Sequence, residues 1–271
     1  HNLEMINIMN PDSSISDKAP EEYRGMSREA ARKQIVLDLK DINHLIKEED
    51  YFHKVGYSER GNVPIEYYLS EQWFLKMEDL AKPASKAVRN KEINFYPNHW
   101  VKTYNHWMDN IQDWCISRQL YWGHQIPVWY KKGADRANQD NWFVSTTPPT
   151  DLENWEQDND VLDTWFSSWL WPFAVHGWPD VKTTKYFPTN ALVTGPDIIF
   201  FWVARMIMSG YEFMGDLPFK DVYFTSILRD EKGRKLSKSL GNSPDPITLF
   251  EKYGTDATRF SIMLMSPQGS D

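Results

Sequence analysis

Two lysines, Lys235 and Lys238, stand three residues apart in the segment 229–240, which also carries hydroxyl side chains and is called the basic loop below. An apolar run, 222–228, precedes this segment, and the turn-forming residues 241–246 follow it. Ammonium groups on a mobile loop at the end of a strand suit the binding of a phosphate chain, because they neutralise its charge. The pattern therefore predicts a phosphate-binding loop. A solvated surface loop explains the five residues 235–239 equally well when they are taken alone.

A glycine and a carboxylate, Gly195 and Asp197, stand where an apolar run ends and a strongly apolar helix is predicted to begin. A glycine lets the backbone approach a ligand closely, and a carboxylate can accept hydrogen bonds from both hydroxyls of a ribose. Aspartate is also a preferred N-cap of helices, and taken alone the segment fits a cap better. The basic loop, predicted on the neighbouring strand end, favours nucleotide binding instead.

Three bulky apolar residues, Trp165, Ile198 and Trp202, are suited to the wall of a pocket for a small branched side chain. Ile198 and Trp202 are four residues apart and therefore share one helix face, directly after Asp197. Trp165 lies in the separate segment 160–168. Ordinary core packing explains such spacing too, and spacing alone favours it.

The composition of the chain excludes several classes of protein. The chain has 271 residues, 41% of them apolar, which is enough for one large domain or two smaller ones. The single cysteine, Cys115, excludes an intramolecular disulfide and a cysteine-rich zinc site, and it indicates a reducing, cytoplasmic environment. The formal net charge of −8 argues against a protein that coats DNA or RNA through its overall field, although a local basic patch can still bind RNA. The most apolar run, 198–208, contains Arg205 and is too short to span a membrane, so we expect no membrane partner.

From residue 160 onward the chain alternates predicted strands and helices, which is typical of a parallel α/β sheet. In such sheets ligands bind at the carboxyl ends of the strands, where both Gly195 and the basic loop would lie. The predicted elements are a short buried strand at 192–195, an apolar helix over 197–211, a strand at 221–226, a helix that opens at Asp245 or Pro246, and a last helix with Thr255 as its cap.

The earlier part of the chain carries weaker signals. Its predicted elements are a strand at 5–9, a helix after the N-cap Ser27 with Ala30, Ala31, Ile35, Leu37 and Leu39 on its apolar face, a strand leading into a helix within 68–77, helical spacing over 107–118, and a loop or small hairpin within 131–160.

Four ordered blocks resemble the class I aminoacyl-tRNA synthetases, and in particular their valyl, isoleucyl and leucyl members. The basic loop is similar to the Lys-Met-Ser-Lys-Ser signature of that family, with Leu236 where methionine is usual. The run 198–202 is of the valyl type, because the isoleucyl enzymes usually have glutamine after the aspartate of Gly-x-Asp. The four blocks are 113–129, 160–168, 194–206 and 235–242, and the segments 19–25 and 71–74 extend the resemblance over essentially the whole chain.

The resemblance implies an α/β fold: the C-terminal half of a Rossmann-like class I synthetase catalytic domain, with part of the connective and editing region inserted into it. Residues 1–52 would then be the C-terminal remnant of the editing domain. Residues 53–159 would form the stem of the connective insertion and the return to the catalytic domain, and residues 160–271 its second half. We expect the chain to be an internal piece of a longer protein, because it starts at His1 in apolar sequence and ends abruptly.

The resemblance also implies the activity of a valine–tRNA ligase for the intact enzyme. Valine and ATP, with its Mg²⁺, would give valyl-adenylate and pyrophosphate, and the valyl group would then pass to the terminal adenosine of tRNA for valine. Lys235, Ser237 and Lys238 are implied to contact the ATP phosphates, and Gly195 and Asp197 the adenylate. The implied valine pocket consists of Trp165, Ile198 and Trp202. Such a pocket rejects threonine only about a hundredfold, which is why the family carries an editing domain.

The chain also departs from the family pattern. The His-x-Gly-His motif, which supplies the other half of the ATP site, is absent, and the segments 122–125 and 175–178 have the wrong pattern. Many relatives bind zinc through cysteine pairs, and the segments 58–61 and 131–160 contain no cysteine, so we expect no zinc there. We expect this piece to be inactive in isolation and its uncovered sheet edge to favour self-association.

Two other functions stay open at this point. The chain would be a non-catalytic RNA-binding or regulatory module derived from a synthetase if the basic loop were only a remnant. It would be another nucleotidyl-transfer enzyme if the loop alone were shared, although the valyl-type run 198–202 argues against that.

Overall fold

The computed structural model describes residues 3–58, 61–181, 185–238 and 240–265. The chain divides into two compact units, His1–Glu71 and Gln72–Asp271. Residues 59 and 60, within the segment expected not to bind zinc, lie outside the described residues. Every helix in the described ranges is too short or too polar to cross a bilayer.

The first unit contains one long helix, α1 (Arg28–Asp41), which begins where the sequence predicts, and a short 3₁₀ turn at Glu21–Tyr23. The hydroxyl of Ser27 caps α1 by accepting a hydrogen bond from the Ala30 N–H at 3.2 Å. The predicted N-terminus of this helix is therefore confirmed.

One expectation for the first unit is wrong. The predicted strand at 5–9 is absent from the described residues there, since Met9 forms only an isolated bridge with Ile15. The apolar face of α1 is largely exposed at Ile35 and Leu37, and Ala31 is its buried residue. The core of this unit is small, so tertiary packing decides which residues of the apolar face of α1 are buried, and periodicity alone does not.

In the second unit the strands are short, and in its described part they form four sheets. The strands are β1 (Phe74–Leu75), β2 (Asn94–Tyr96), β3 (Trp114–Cys115), β4 (Ser117–Arg118), β5 (Val128–Lys131), β6 (Trp142–Val144), β7 (Trp155–Gln157), β8 (Val161–Leu162), β9 (Thr189–Thr194) and β10 (Phe219–Phe224). The helices are α2 (Glu78–Arg89), α3 (Trp100–Asp109), α4 (Thr164–Ser168), α5 (Trp171–Ala174), α6 (Ala204–Ser209), α7 (Pro246–Tyr253) and α8 (Thr255–Met265), with 3₁₀ turns at Gln139–Asn141 and Leu152–Asn154.

The central sheet is parallel and has the order β2-β10-β9. Val222 of β10 pairs with Phe95 on one side and with Leu192 on the other. Phe95, Val222 and Phe224 are buried in the main core. This arrangement confirms the predicted α/β fold, and it puts the ends of β9 and β10 at the same edge.

Strand β9 differs from its prediction in burial. The sequence predicts a buried strand here, but Val193 is 62% exposed and Thr194 is the only buried residue of β9. Among the described residues, β10 is its sole neighbour, so one long edge and much of one face remain uncovered.

The apolar helix predicted over 197–211 is confirmed, but it is not regular. A 3₁₀ turn (Pro196–Ile198) leads into a π-helical turn (Ile199–Val203), then α6, then a second π-helical turn (Gly210–Met214). Val203 and Ile207 lie fully buried against the sheet. π-Helical turns of this kind occur frequently at functional sites.

The helix predicted from the spacing over 107–118 is wrong beyond α3. That helix ends at Asp109, and the following residues form β3 and β4 instead. Cys115 pairs with Phe74, and the Ile116 N–H donates to the Trp73 carbonyl at 2.8 Å. The backbone hydrogen bonds therefore go to a distant strand, which the local apolar spacing does not reveal. Of the strand and helix predicted within 68–77, the strand is confirmed as β1, whereas the helix that follows it, α2, begins only at Glu78.

The hairpin expected within 131–160 is confirmed as part of a three-stranded antiparallel sheet, β6-β5-β7. The Asp158 carboxylate accepts hydrogen bonds from Trp73 Nε1 at 2.8 Å and from the Tyr130 hydroxyl at 2.7 Å. Burial and this carboxylate together raise the pKa of Tyr130 well above its usual range.

Helix α7 begins where the sequence predicts, whereas the predicted cap of α8, Thr255, is the first residue of that helix. The Asp245 carboxylate accepts a hydrogen bond from the Ile247 N–H at 3.1 Å, and Pro246 occupies the first helical position of α7. Helix α8 begins at Thr255.

A matched pair of substitutions tests the assignment of the core. We expect Ile207→Ala, at a fully buried position, to lower the free energy of unfolding by about 2–5 kcal/mol, because it leaves a cavity. Ile247→Ala, at a position 58% exposed, is expected to change it by less than about 0.5 kcal/mol. Urea unfolding of both variants measures the difference, and similar values for the two would contradict the packing described.

Candidate functional site

The two predicted nucleotide-binding segments meet at the carboxyl edge of the parallel sheet. Gly195 follows β9 directly, and the basic loop follows β10. Lys235 Nζ lies 2.5 Å from Asp197 Oδ2, although these residues are 38 positions apart in the chain. Both side chains remain partly exposed, at 57% and 39%. The edge therefore presents a cation and a carboxylate side by side to solvent.

Gly195 is closely packed against the side chain of Asp197. Its backbone angles, φ −75° and ψ 148°, are open to any residue. A Cβ at this position would lie only 2.7 Å from Asp197 Oδ1. The glycine therefore leaves room for the Asp197 carboxylate in its present position.

The basic loop is a hairpin-like turn. Arg229 and Lys235 form an antiparallel bridge, and the chain reverses at Gly233, which has a left-handed φ of 72°. The hydroxyl residue Ser237 is half-buried, and Lys238 is exposed one residue further on. The loop thus presents both predicted lysines to solvent.

The three residues of the predicted apolar pocket lie in neighbouring elements. Trp165 is in α4, and its ring stacks on Phe201 with centroids 5.8 Å apart. Trp202 Nε1 donates a hydrogen bond to the Ser168 carbonyl at 2.9 Å. Trp165, Ile198 and Trp202 are all half-buried. Phe201, which the sequence argument missed, is the aromatic residue stacked on Trp165.

A buried carboxylate joins these elements. Asp163 Oδ2 accepts hydrogen bonds from Trp114 Nε1 at 2.9 Å and from Arg118 Nη2 at 2.8 Å. Asp163 Oδ1 caps α4 by accepting from the Trp165 N–H at 3.3 Å. One side chain therefore holds β3, β4 and the start of α4 together, beside the predicted pocket.

Arg205 completes this charged cluster. Its guanidinium carbon lies 3.5 Å from the centroid of the Trp114 ring, and Nη1 lies 3.9 Å from Asp163 Oδ2. Burial lowers the pKa of Arg205 to about 10, and the Asp163 carboxylate partly offsets that effect. The side chain still carries its proton near neutral pH.

The sequence contains a signal for this cluster that the sequence argument did not use. An arginine inside a strongly apolar helix needs a buried partner, because an isolated charge is too costly to desolvate. The charge of Arg205 indicates that a buried partner exists. The spacing of residues in the sequence does not predict that this partner is the Asp163 carboxylate.

The described residues contain no cluster of three or more histidine, cysteine, aspartate or glutamate side chains arranged to bind a metal ion. The nearest approach of opposite charges at the sheet edge is the pair of Lys235 and Asp197. The edge presents an ammonium group and a carboxylate.

Comparison with known proteins identifies the class to which this fold and site belong. Residues 6–271 match the family described as tRNA synthetases class I (I, L, M and V). The chain belongs to this family of class I aminoacyl-tRNA synthetases, which confirms the resemblance seen in the four sequence blocks.

Its sequence relatives include valine–tRNA ligases. The chain is 55% identical over 280 residues to the valine–tRNA ligase of Chlorobaculum tepidum, covering 100% of this chain and 30% of that protein. It is 52% identical over 275 residues to the valine–tRNA ligase of Bacillus subtilis, covering 100% of this chain and 31% of that protein. The chain thus spans about a third of the length of these relatives.

Solved structures support the fold. The methionyl-tRNA synthetase of Mycobacterium tuberculosis bound by methionyl-adenylate matches with a TM-score of 0.53 and 20% identity over 77% of this chain and 36% of that chain. The apo form of the same enzyme matches with a TM-score of 0.54 and 17% identity, over 80% of this chain and 37% of that chain. At such identities the likeness concerns the fold alone, and it confirms the Rossmann-like class I architecture.

Removing the buried carboxylate tests the charged cluster. Asp163→Ala is expected to lower the free energy of unfolding by about 3–5 kcal/mol, because it leaves the buried Arg205 guanidinium without its counter-ion. Asp109→Ala is the matched control, since its pair with Arg89 is exposed at the surface, and we expect it to cost less than about 1 kcal/mol. Urea unfolding measures both, and an Asp163 variant as stable as the control would disprove the role of the cluster.

Proposed function

We propose that this chain is part of a valine–tRNA ligase that activates valine with ATP and transfers it to tRNA for valine. The observation that carries the proposal is the meeting of Lys235 and Asp197 at the carboxyl edge of the parallel sheet. This edge is where ligands bind in open α/β sheets. The sequence identity with valine–tRNA ligases supports the choice of amino acid.

The first step of the proposed reaction forms valyl-adenylate. A carboxylate oxygen of valine attacks the α-phosphorus of ATP, and pyrophosphate leaves with the electrons of the broken P–O bond. Lys235 and Lys238 would neutralise the charge that builds on the leaving oxygens, and Ser237 would donate a hydrogen bond to a phosphate oxygen. In the second step a hydroxyl of the terminal adenosine of tRNA attacks the valyl carbonyl, and AMP leaves.

ATP binding would exchange the partners of the ion pair at the sheet edge. The ribose hydroxyls would bind the Asp197 carboxylate, and phosphate oxygens would bind the Lys235 ammonium. The existing pair is a weak barrier to this exchange, because exposed ion pairs contribute only about 0–1 kcal/mol. Magnesium would enter with the ATP phosphates as their counter-ion, and we propose no resident zinc.

The proposed valine pocket is formed by Trp165, Ile198 and Trp202, with Phe201 stacked behind Trp165. Rigid apolar walls of this kind exclude isoleucine by its size. They reject the isostere threonine only about a hundredfold, so the intact enzyme would need an editing site. We also propose a cytoplasmic location, where tRNA charging takes place, and neither DNA nor membrane as a partner.

The proposal is tested by valine-dependent exchange between ATP and pyrophosphate. We expect exchange in the intact gene product that contains these 271 residues. We expect none in the 271-residue chain by itself, because it lacks the His-x-Gly-His half of an ATP site. The absence of exchange in both proteins would refute the proposed ligase function. It would favour the non-catalytic RNA-binding module derived from a synthetase.

The phosphate role of the basic loop is tested by Lys235→Ala in the intact gene product. We expect kcat of exchange to fall about 100- to 1,000-fold, as when one preorganised donor to a transition-state anion is lost. The free energy of unfolding should change by less than about 1 kcal/mol, because the Lys235 side chain is 57% exposed.

Lys220→Ala is the matched control for that substitution. Lys220 is also exposed, but it lies near the opposite end of β10, so its loss should leave exchange unchanged. An equal loss of rate in both variants would contradict a specific phosphate role for Lys235.

Gly195→Ala tests whether the Asp197 carboxylate binds the ribose of ATP. The added methyl group would displace the Asp197 carboxylate, so we expect a several-fold higher KM for ATP with little change in stability. Gly56→Ala is the control, because its methyl group would meet only Ile65 Cδ1 at 3.6 Å, an ordinary contact. An unchanged KM for ATP in the Gly195 variant would argue against ribose binding by Asp197.

A further inference from the structure

The side chain of Asn242 bonds to three points of the basic loop. Its Oδ1 accepts a hydrogen bond from the Ser237 N–H at 2.8 Å. Its Nδ2 donates to Asp230 Oδ2 at 2.9 Å and to the Lys235 carbonyl at 3.3 Å. One amide group thus holds the backbone on both sides of Leu236.

The carboxylate of Asp230 connects Asn242 to the turn of the loop. Its Oδ1 accepts hydrogen bonds from the backbone N–H groups of Lys232 at 3.0 Å and Arg234 at 2.8 Å, and its Oδ2 accepts from Arg234 Nε at 2.8 Å. Hydrogen bonds from Asn242 and Arg234 hold the pKa of Asp230 well below its usual range. The carboxylate therefore remains an acceptor at neutral pH.

The loop is also tied to the end of the sheet. The Leu236 N–H donates to the Leu228 carbonyl at 3.1 Å, four residues beyond the last residue of β10. With residues 235 to 237 fixed from both sides, the direction in which the Lys235 side chain leaves the backbone is defined. That direction brings its ammonium group to Asp197.

We propose that Asp230 and Asn242 form a clasp that positions the Lys235 ammonium for its role in adenylate formation. This inference rests on the proposed function. Neither residue needs to touch the substrate: the clasp acts through the backbone of Lys235 and Ser237. It reduces the number of loop conformations that compete with the one in which the ammonium lies at the carboxyl edge of the sheet.

The chemistry of the clasp requires an amide at position 242. An asparagine offers an acceptor oxygen, for the Ser237 N–H, and two N–H donors, for Asp230 and the Lys235 carbonyl. An aspartate has the same shape but no donor, so Asn242→Asp would face one carboxylate with another at 2.9 Å. The variant therefore breaks the clasp by charge without changing its volume.

The test is ATP–pyrophosphate exchange in the intact gene product, with kcat and the KM values for ATP and valine measured separately. We expect Asn242→Asp to lower kcat about 10- to 100-fold, because the two hydrogen bonds donated by Nδ2 are lost, and to leave the KM for valine unchanged. Asn154→Asp is the matched control. Its amide also donates to a carboxylate, that of Asp151 at 3.3 Å, but it lies near β7 and should leave exchange unchanged.

Two further variants separate positioning from a general loss of structure. In a Lys235→Ala background, Asn242→Asp should cause little additional loss, because the group that the clasp positions is gone. The double exchange Asp230→Asn with Asn242→Asp should recover part of kcat, because it restores one donor facing one acceptor.

The outcomes are distinguishable. A wild-type protein without exchange refutes the proposed function and this inference with it. A wild-type protein with exchange, together with an unaffected Asn242→Asp variant, overturns the clasp alone. The clasp is also overturned if Asn242→Asp lowers kcat by the same factor in the Lys235→Ala background as in the wild type. Asn242 would then act independently of Lys235.

Discussion

The parallel pairing of β9 with β10 is the constraint on which the candidate site depends. Thr194 pairs with Phe224, so both strands end at the same level. Gly195 and Asp197 therefore leave the sheet beside the start of the basic loop. A shift of this register would separate a lysine and a carboxylate that now lie 2.5 Å apart.

Two kinds of interaction surround this edge. Below it the core is apolar, with Val203, Ile207 and Val222 fully buried. Beside the predicted pocket lies a buried charge, and it is tolerated because Asp163 balances Arg205 and the Trp114 ring covers the guanidinium face. The pair of Lys235 and Asp197 is exposed, and ligand binding can exchange its partners at little cost. The site therefore combines a rigid floor and a fixed loop backbone with side chains that can change partners.

Much of this arrangement is predictable from local sequence. The caps at Ser27 and Asp245 are readable because a cap depends on a few neighbouring residues. The positions of Gly195 and the basic loop follow from strand ends in an α/β pattern. The spacing over 107–118 wrongly predicts a helix through Cys115. The strand partner of Cys115 is Phe74 in β1, 41 positions earlier in the chain. Burial of β9 was likewise misjudged, since it depends on which strands lie beside it.

The sequence by itself determined the family, the parallel α/β architecture and the residues proposed for ATP and valine. These conclusions need only residue types, order and short spacings. The tertiary structure alone decided that Phe201 stacks on Trp165, that Asp163 balances Arg205, and that Asn242 holds the backbone of the basic loop. Each of these depends on side-chain directions and on contacts between separate elements. Periodicity cannot specify such contacts, because they are set by how the elements pack together.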